Sequence, residues 1–294
     1  MTGTGFIGLG AMGTHMARNL HKHSLLDAVW NRAAYKAKAL AAELGCVAAA
    51  SPADLAARCE VVMLCVSADD DVRQVVAAME NAIRPGTLVI DCSTIGAQTA
   101  RAMAERLAGK DCEFIDAPVS GGVEGARDGT LAIMVGGSPE AFERARPVLE
   151  AVGRTLNHFG PSGYGQAAKA TNQIMCAGVI QAVAEAMAFA KAEGLPLDKL
   201  IETLSKGAGS SWYFVHRAPN MVREAYPAGF RVRLHAKDLQ ICHDMSARHG
   251  VQLPVIEMAL DHYRRLMEQG FGDEDISALF RLTDALFEQA AARK

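Results

Sequence analysis

The chain has 294 residues, half of them hydrophobic and 21% charged, with a net charge of −3. That length suits two domains with substantial cores, and a near-balanced charge without a long basic block excludes nucleic acid as the expected partner. Seven cysteines (Cys46, Cys59, Cys65, Cys92, Cys112, Cys176 and Cys242) are scattered, odd in number and without a CxxC pair, so buried thiols in a reducing compartment are expected, with neither a disulfide framework nor a metal site.

The N-terminus has no basic segment followed by an apolar run, so no signal peptide and a cytoplasmic location are expected. Residues 4–8 (TGFIG) form a short apolar run that passes directly into GLGAMG and then a helical pattern. Gly8, Gly10 and Gly13 are spaced G-x-G-x-x-G between strand and helix. One glycine makes the tight turn, one lets the backbone approach a pyrophosphate, and one lets helix and strand pack closely. The diphosphate then rests on the free N–H groups at the helix start.

A second strand at residues 27–30 (DAVW) ends at Asn31 and Arg32. NAD-preferring sites usually carry a carboxylate here for the ribose hydroxyls. An amide followed by a guanidinium, with Lys36 one helical turn on, favours the 2′-phosphate of NADP(H) over NAD(H). The other reading of the pair is an Asn31 helix cap beside an exposed arginine.

Strands are expected at residues 60–66, 87–91, 112–116 and 131–135, with helical patterns between them. This alternation defines a Rossmann-type α/β domain with a doubly wound, mostly parallel sheet, in which ligands bind beyond the strand C-termini. Thr94 and Ser120 lie just past strand ends. Ser120, Gly121 and Gly122 offer a hydroxyl and two unhindered N–H groups suited to a carboxylate, although serine and glycine are also the commonest turn residues.

Alternation stops near residues 160–163. The expected domains are therefore residues 1–162, dinucleotide-binding, and residues 163–294, all helical. Residues 163–190 read as one long helix that is apolar on nearly every side, with Lys169 and Glu185 its only charges. A buried lysine loses hydration worth several kcal/mol unless something compensates; the other reading of this stretch is a lysine snorkelling to solvent near the helix start beside a solvated amide pair. Asn172 and Gln173 share its helical face. Gln181, Glu185 and the lack of basic flanks argue for a protein interior rather than a membrane span. Helices follow from Pro196, from Trp212 after GAGSS, around Lys237-Asp238-Leu239, and over residues 254–269 and 273–292.

With GFIGLGAMG (5–13), DCSTIG (91–96), DAPVSGGVEGARDGTLAIMVGG (116–137), GYGQAAKATNQ (163–173) and LHAKDL (234–239) in order, the chain resembles the β-hydroxyacid dehydrogenase family nearly end to end. That family includes 3-hydroxyisobutyrate dehydrogenases, tartronate semialdehyde reductases and glyoxylate/succinic semialdehyde reductases. The resemblance implies a Rossmann domain and a helical domain joined by the long helix, with catalysis in the cleft between them. It implies Lys169 as catalytic lysine, Asn172 as its companion, and Ser120, Gly121 and Gly122 as the carboxylate site. Lys237 is implied near both substrate and cofactor, where it would favour a neutral Lys169. The cofactor set is then Gly8, Leu9, Gly10, Ala11, Met12, Gly13, Asn31, Arg32, Val66, Thr94 and Lys237.

The expected activity is hydride transfer between NADP(H), with NAD(H) as the alternative, and a small carboxylate-bearing semialdehyde or 3-hydroxy acid. Relatives imply a homo-oligomer, dimer or tetramer. Segment 229–239 (GFRVRLHAKDL) is similar to the tartronate semialdehyde reductase version, whereas 209–219 (GSSWYFVHRAP) matches no single subgroup. Trp212, Tyr213 and Phe214 either line the acyl pocket or pack the helical domain. An imine reductase is disfavoured because those relatives generally lack the lysine. A non-catalytic dinucleotide-binding module is disfavoured by the retained lysine, asparagine and serine–glycine elements.

Overall fold

The computed structural model describes residues 3–293. The chain divides into two compact units at Lys169/Ala170. In the first, the order is β1 (Thr4–Ile7), α1 (Gly13–Lys22), β2 (Leu26–Trp30), α2 (Ala34–Leu44), β3 (Val47–Ala48), α3 (Pro52–Arg58), β4 (Val61–Leu64), α4 (Asp69–Met79), β5 (Leu88–Asp91), α5 (Ala97–Ala108), β6 (Glu113–Asp116), β7 (Val119–Ser120), α6 (Gly122–Asp128), β8 (Leu131–Gly136), α7 (Pro139–Glu150) and β9 (Gly153–Gly160).

These strands form one sheet in the order β3-β2-β1-β4-β5-β6-β8-β7, with β9 paired to β8. All are parallel from β3 to β6. β8 runs antiparallel to β6, and β9 parallel to β8. Side chains alternate between two apolar layers. Phe6, Met63, Ile90 and Ile115 point to the face covered by α1, α2 and α7. Ile7, Val62, Leu64, Val89 and Phe114 point to the face covered by α3, α4 and α5. Strands buried on both faces read as continuous aliphatic runs, which is why they were visible in the sequence. Each fully buried aliphatic side chain contributes about 1.5–3 kcal/mol.

The register aligns the strand ends. Ile7 pairs with Trp30 and Leu64, Leu64 with Asp91, and Asp91 with Asp116. The loops starting at Gly8, Asn31, Cys65, Cys92 and Ala117 therefore leave from one row along the sheet.

The second unit is helical. α8 (Tyr164–Ala192) starts in the first unit and runs into it, followed by α9 (Leu197–Leu204), α10 (Trp212–Val222), α11 (Val232–Ala247), α12 (Pro254–Glu268), a 3-10 turn (Ile276–Leu279) and α13 (Phe280–Ala291). Ala177, Ile180, Ala184, Met187 and Ala188 of α8 join one core with residues of the later helices. α8 is long and apolar enough to cross a bilayer, yet half of its most apolar stretch is buried within the protein. Its burial is one-sided, since Met175 and Phe189 are exposed. Tyr213 and Phe214 belong to the helical core. Trp212 is half exposed, stacked 4.2 Å from the His216 ring with Arg217 over its face.

Candidate active site

The glycine-rich turn between β1 and α1 fits a dinucleotide by a simple steric test. Gly8 has φ +103, and a Cβ there would lie 2.2 Å from the Cys65 carbonyl oxygen. A Cβ on Gly13 would lie 1.9 Å from the Gly8 carbonyl oxygen, so close strand–helix packing demands glycine. Gly10 differs, because nothing lies within 4 Å of its would-be Cβ. Two glycines are thus spent on packing, and the third leaves open space at the entrance to α1, the positive end of the helix dipole. No acidic residue occupies the first turn of α1. The turn is held by Asn31, whose Oδ1 accepts the Leu9 N–H at 2.9 Å. Ala11 is exposed and Met12 half-buried at the helix entrance, and Met12 is the N-cap residue of α1.

Arg32 is exposed, with Nη1 3.0 Å from Oδ1 of Asp71 at the start of α4. At the end of β5 the loop to α5 is tied in several directions. The Ser93 N–H donates to Asp91 Oδ1 at 2.9 Å, and Ser93 Oγ accepts the Val66 N–H at 2.9 Å. Asp69 Oδ1 accepts the Gly96 N–H and the Thr99 hydroxyl. Thr94 sits half-buried between these anchors.

Ser120 pairs with Ala132 in β8 and is half-buried. Gly121 and Gly122 both have positive φ, +134 and +65, so this turn requires two consecutive glycines. Glu124 was not anticipated as a neighbour; its Oε2 lies 3.0 Å from where a Gly122 Cβ would be.

The start of α8 is fastened to the strand ends. Asp116, the last residue of β6, accepts the Gly163 N–H on Oδ1 at 2.7 Å and the Gln166 N–H on Oδ2 at 2.8 Å. Burial pushes the Asp116 carboxyl up, and these two N–H bonds oppose the shift. Gly165 makes the approach feasible, since a Cβ there would fall 2.4 Å from the Met134 carbonyl oxygen. Lys169 follows one turn later, only 7% exposed.

Beyond Lys169, Asn172 Nδ2 donates to Gln173 Oε1 at 2.8 Å and to Cys176 Sγ at 3.5 Å. Gln173 Nε2 donates to Asp238 Oδ2 at 2.7 Å. Asp238 Oδ1 stands 2.9 Å from Lys237 Nζ. The Lys237 ammonium is therefore matched locally by a carboxylate, a neutralisation that the sequence reading did not include.

Sequence reasoning also passed over Asp91, Asp116 and Gln166. Each left a trace. TLVID and CEFID both end an apolar strand on a carboxylate, and Gln166 is the lone amide in the alanine-rich turn before Lys169. Asp91 is wholly buried, and burial, opposed by the Ser93 hydrogen bonds and aided by the Asp116 charge, pushes its carboxyl up to about 7.

A doubly wound domain with a dinucleotide-fitting turn, followed by a helical unit, defines a class of nicotinamide-dependent oxidoreductases. Comparison with known proteins narrows it. Residues 3–160 match the family model described as the NAD binding domain of 6-phosphogluconate dehydrogenase. Residues 163–283 match that described as NAD-binding of NADP-dependent 3-hydroxyisobutyrate dehydrogenase. An NAD-dependent L-serine dehydrogenase of Pseudomonas aeruginosa is 37% identical over 95% of this chain and 97% of its own. Glyoxylate/succinic semialdehyde reductase 1 of Arabidopsis thaliana is 30% identical over 94% of this chain and 96% of its own. The structure of Mycobacterium tuberculosis 3-hydroxyisobutyrate dehydrogenase with L-serine has TM-score 0.86 and 33% identity, covering 96% of this chain and 99% of that one. The chain belongs to the β-hydroxyacid dehydrogenase family and is an NAD(P)-dependent hydroxyacid dehydrogenase acting on small acids.

Proposed function

We propose that this enzyme interconverts a small 3-hydroxy acid and its semialdehyde, or reduces a 2-oxo acid such as glyoxylate, with NADP(H) preferred and Lys169 moving the proton at the carbinol oxygen. The observation that carries the reading is a buried lysine on a helix whose N-terminus is clamped by Asp116 to the row of strand ends. The nicotinamide, when bound, supplies or accepts the hydride.

The residues of this chain divide the remaining work. The turn from Gly8 to Gly13, with Leu9, Ala11 and Met12 between, takes the pyrophosphate, and Val66 and Thr94 border the nicotinamide end. Asn31 shapes the turn while Arg32 meets the 2′-phosphate. Ser120 and the N–H groups of Gly121 and Gly122 hold the substrate carboxylate. In reduction, Lys169 donates a hydrogen bond to the carbonyl oxygen as it gains charge and then transfers a proton; in oxidation it accepts that proton. Asn172, one turn on, belongs to the same polar stripe, and Lys237 is assigned to substrate and cofactor binding in the intact enzyme.

The enzyme is expected to be cytoplasmic and to self-associate. The exposed apolar side chains of Met175 and Phe189 support the second inference, and light scattering on the purified protein tests it.

The test of the activity is a panel of 3-hydroxyisobutyrate, L-serine, tartronate semialdehyde, glyoxylate and succinic semialdehyde with each nicotinamide cofactor, read by absorbance. At least one member should turn over, and Lys169→Ala should lower its kcat by about 10²- to 10⁴-fold. NADPH affinity should change little. Full turnover in Lys169→Ala would remove that residue from the role.

A further inference from the structure

We propose that Gln166 is a positioning residue: its primary amide ties the loop carrying Thr94 to the helix carrying Lys169. The inference rests on the roles proposed above for those two residues and adds what holds them in register.

Gln166 is 1% exposed and uses both ends of its amide on main chain. Its Oε1 accepts the Ile95 N–H at 3.2 Å, and its Nε2 donates to the Ser93 carbonyl oxygen at 2.8 Å. The two contacts bracket Thr94, so the side chain pairs with the loop as a neighbouring strand would. Its own N–H is held by Asp116 at 2.8 Å. Lys169 lies three positions on, on an adjacent flank of the same helix. One residue thus links, through its side-chain amide, the loop after β5 and, through its main-chain N–H, the end of β6 to the helix of the proposed proton donor. Hydride and proton must be delivered to neighbouring atoms of one carbonyl, and a misplacement of about 1 Å costs roughly 100-fold in rate.

The chemistry of the amide makes the idea testable. The clamp needs one donor and one acceptor. A glutamic acid in its neutral form offers both, whereas a glutamate offers no donor to the Ser93 carbonyl. Charged or titratable groups around the amide are Asp91 on β5, Asp116 on β6, Asp69 and Arg101 flanking the Ile95–Gly96 segment and the helix start, and Lys169 itself. Burial among three carboxylates would hold an introduced glutamic acid protonated above its usual range.

The experiment compares the wild-type enzyme with Gln166→Leu and Gln166→Glu, using the best substrate of the panel and saturating NADPH, from pH 5.5 to 9. Gln166→Leu should lose about 10- to 100-fold in kcat, with the Kd for NADPH, read by fluorescence, within about threefold of wild type. Gln166→Glu should approach wild-type kcat at the acid end and fall away from it, as a ratio at each pH, as the pH rises. A kcat within threefold of wild type in Gln166→Leu would overturn the clamp. A Gln166→Glu variant as slow at pH 5.5 as Gln166→Leu, with a ratio flat in pH, would overturn it equally, because the neutral acid would then restore nothing that leucine lacks. Lys169→Ala run alongside separates the two claims. Loss there with an unaffected Gln166→Leu rejects the clamp alone, and full activity there rejects the assignment of Lys169.

Discussion

Arg32 illustrates what a single residue can and cannot disclose. Its place just after the second strand makes it the candidate for a cofactor-selecting cation, because the distance from a glycine-rich turn to that position is set by one strand–helix–strand unit. Asp71 was not legible, since it reaches Arg32 from 39 residues away and only the fold brings them together. The pair is solvent-exposed, so it contributes at most about 1 kcal/mol, but it sets a carboxylate in competition with any phosphate that Arg32 would grip. Arg32→Ala should therefore raise the KM for NADPH about tenfold or more and leave that for NADH within about threefold. Asp71→Asn should lower the KM for NADPH by a few fold without moving that for NADH. Steady-state kinetics with both cofactors checks each. Equal effects on the two cofactors would reject the 2′-phosphate assignment.

Among the elements, β1, β4 and β5 were visible because both their faces are buried, which leaves an unbroken apolar run. β9 was missed for the opposite reason. It lies beyond β8, away from the parallel run, with mostly exposed or half-exposed residues, so GRTLNHFG shows no such run. β3 and β7 are two residues each and carry no periodic signal. The long helix was clear from its composition. Its fastening to the sheet was not, because it depends on Asp116, Gly163 and Gly165 meeting across a gap of more than 40 residues.

The strand ends also carry a pH dependence. Asp91 titrates near 7 when folded against about 3.8 for the free side chain. Between those values the folded chain holds a proton that the unfolded chain has lost. Stability therefore falls as pH rises from about 4 to about 7 and levels off above, a window worth on the order of 4 kcal/mol. Asparagine keeps the acceptor for the Ser93 N–H and lacks the charge. The Tm of Asp91→Asn minus that of wild type should thus grow more positive between pH 5 and pH 8 in calorimetry. A difference that stays constant across that range would contradict an ionisable, desolvated Asp91.

On the scale of the whole molecule, each unit carries its own core, and the family motifs run through both. This is why the class of enzyme was readable from five short motifs in order. What those motifs left open was the packing of aromatic residues. Tyr213 and Phe214 are core residues of the helical unit, a fact set by helix orientation rather than by residue type. The central claim is that Lys169 moves the proton while hydride passes between cofactor and substrate carbon. Single-turnover hydride transfer in Lys169→Ala, followed by NADPH absorbance with and without added ethylamine, tests it most directly. The account predicts a loss of about 10²- to 10⁴-fold that the free amine partly restores in proportion to its concentration. A variant that transfers hydride at the wild-type rate without the amine would contradict it.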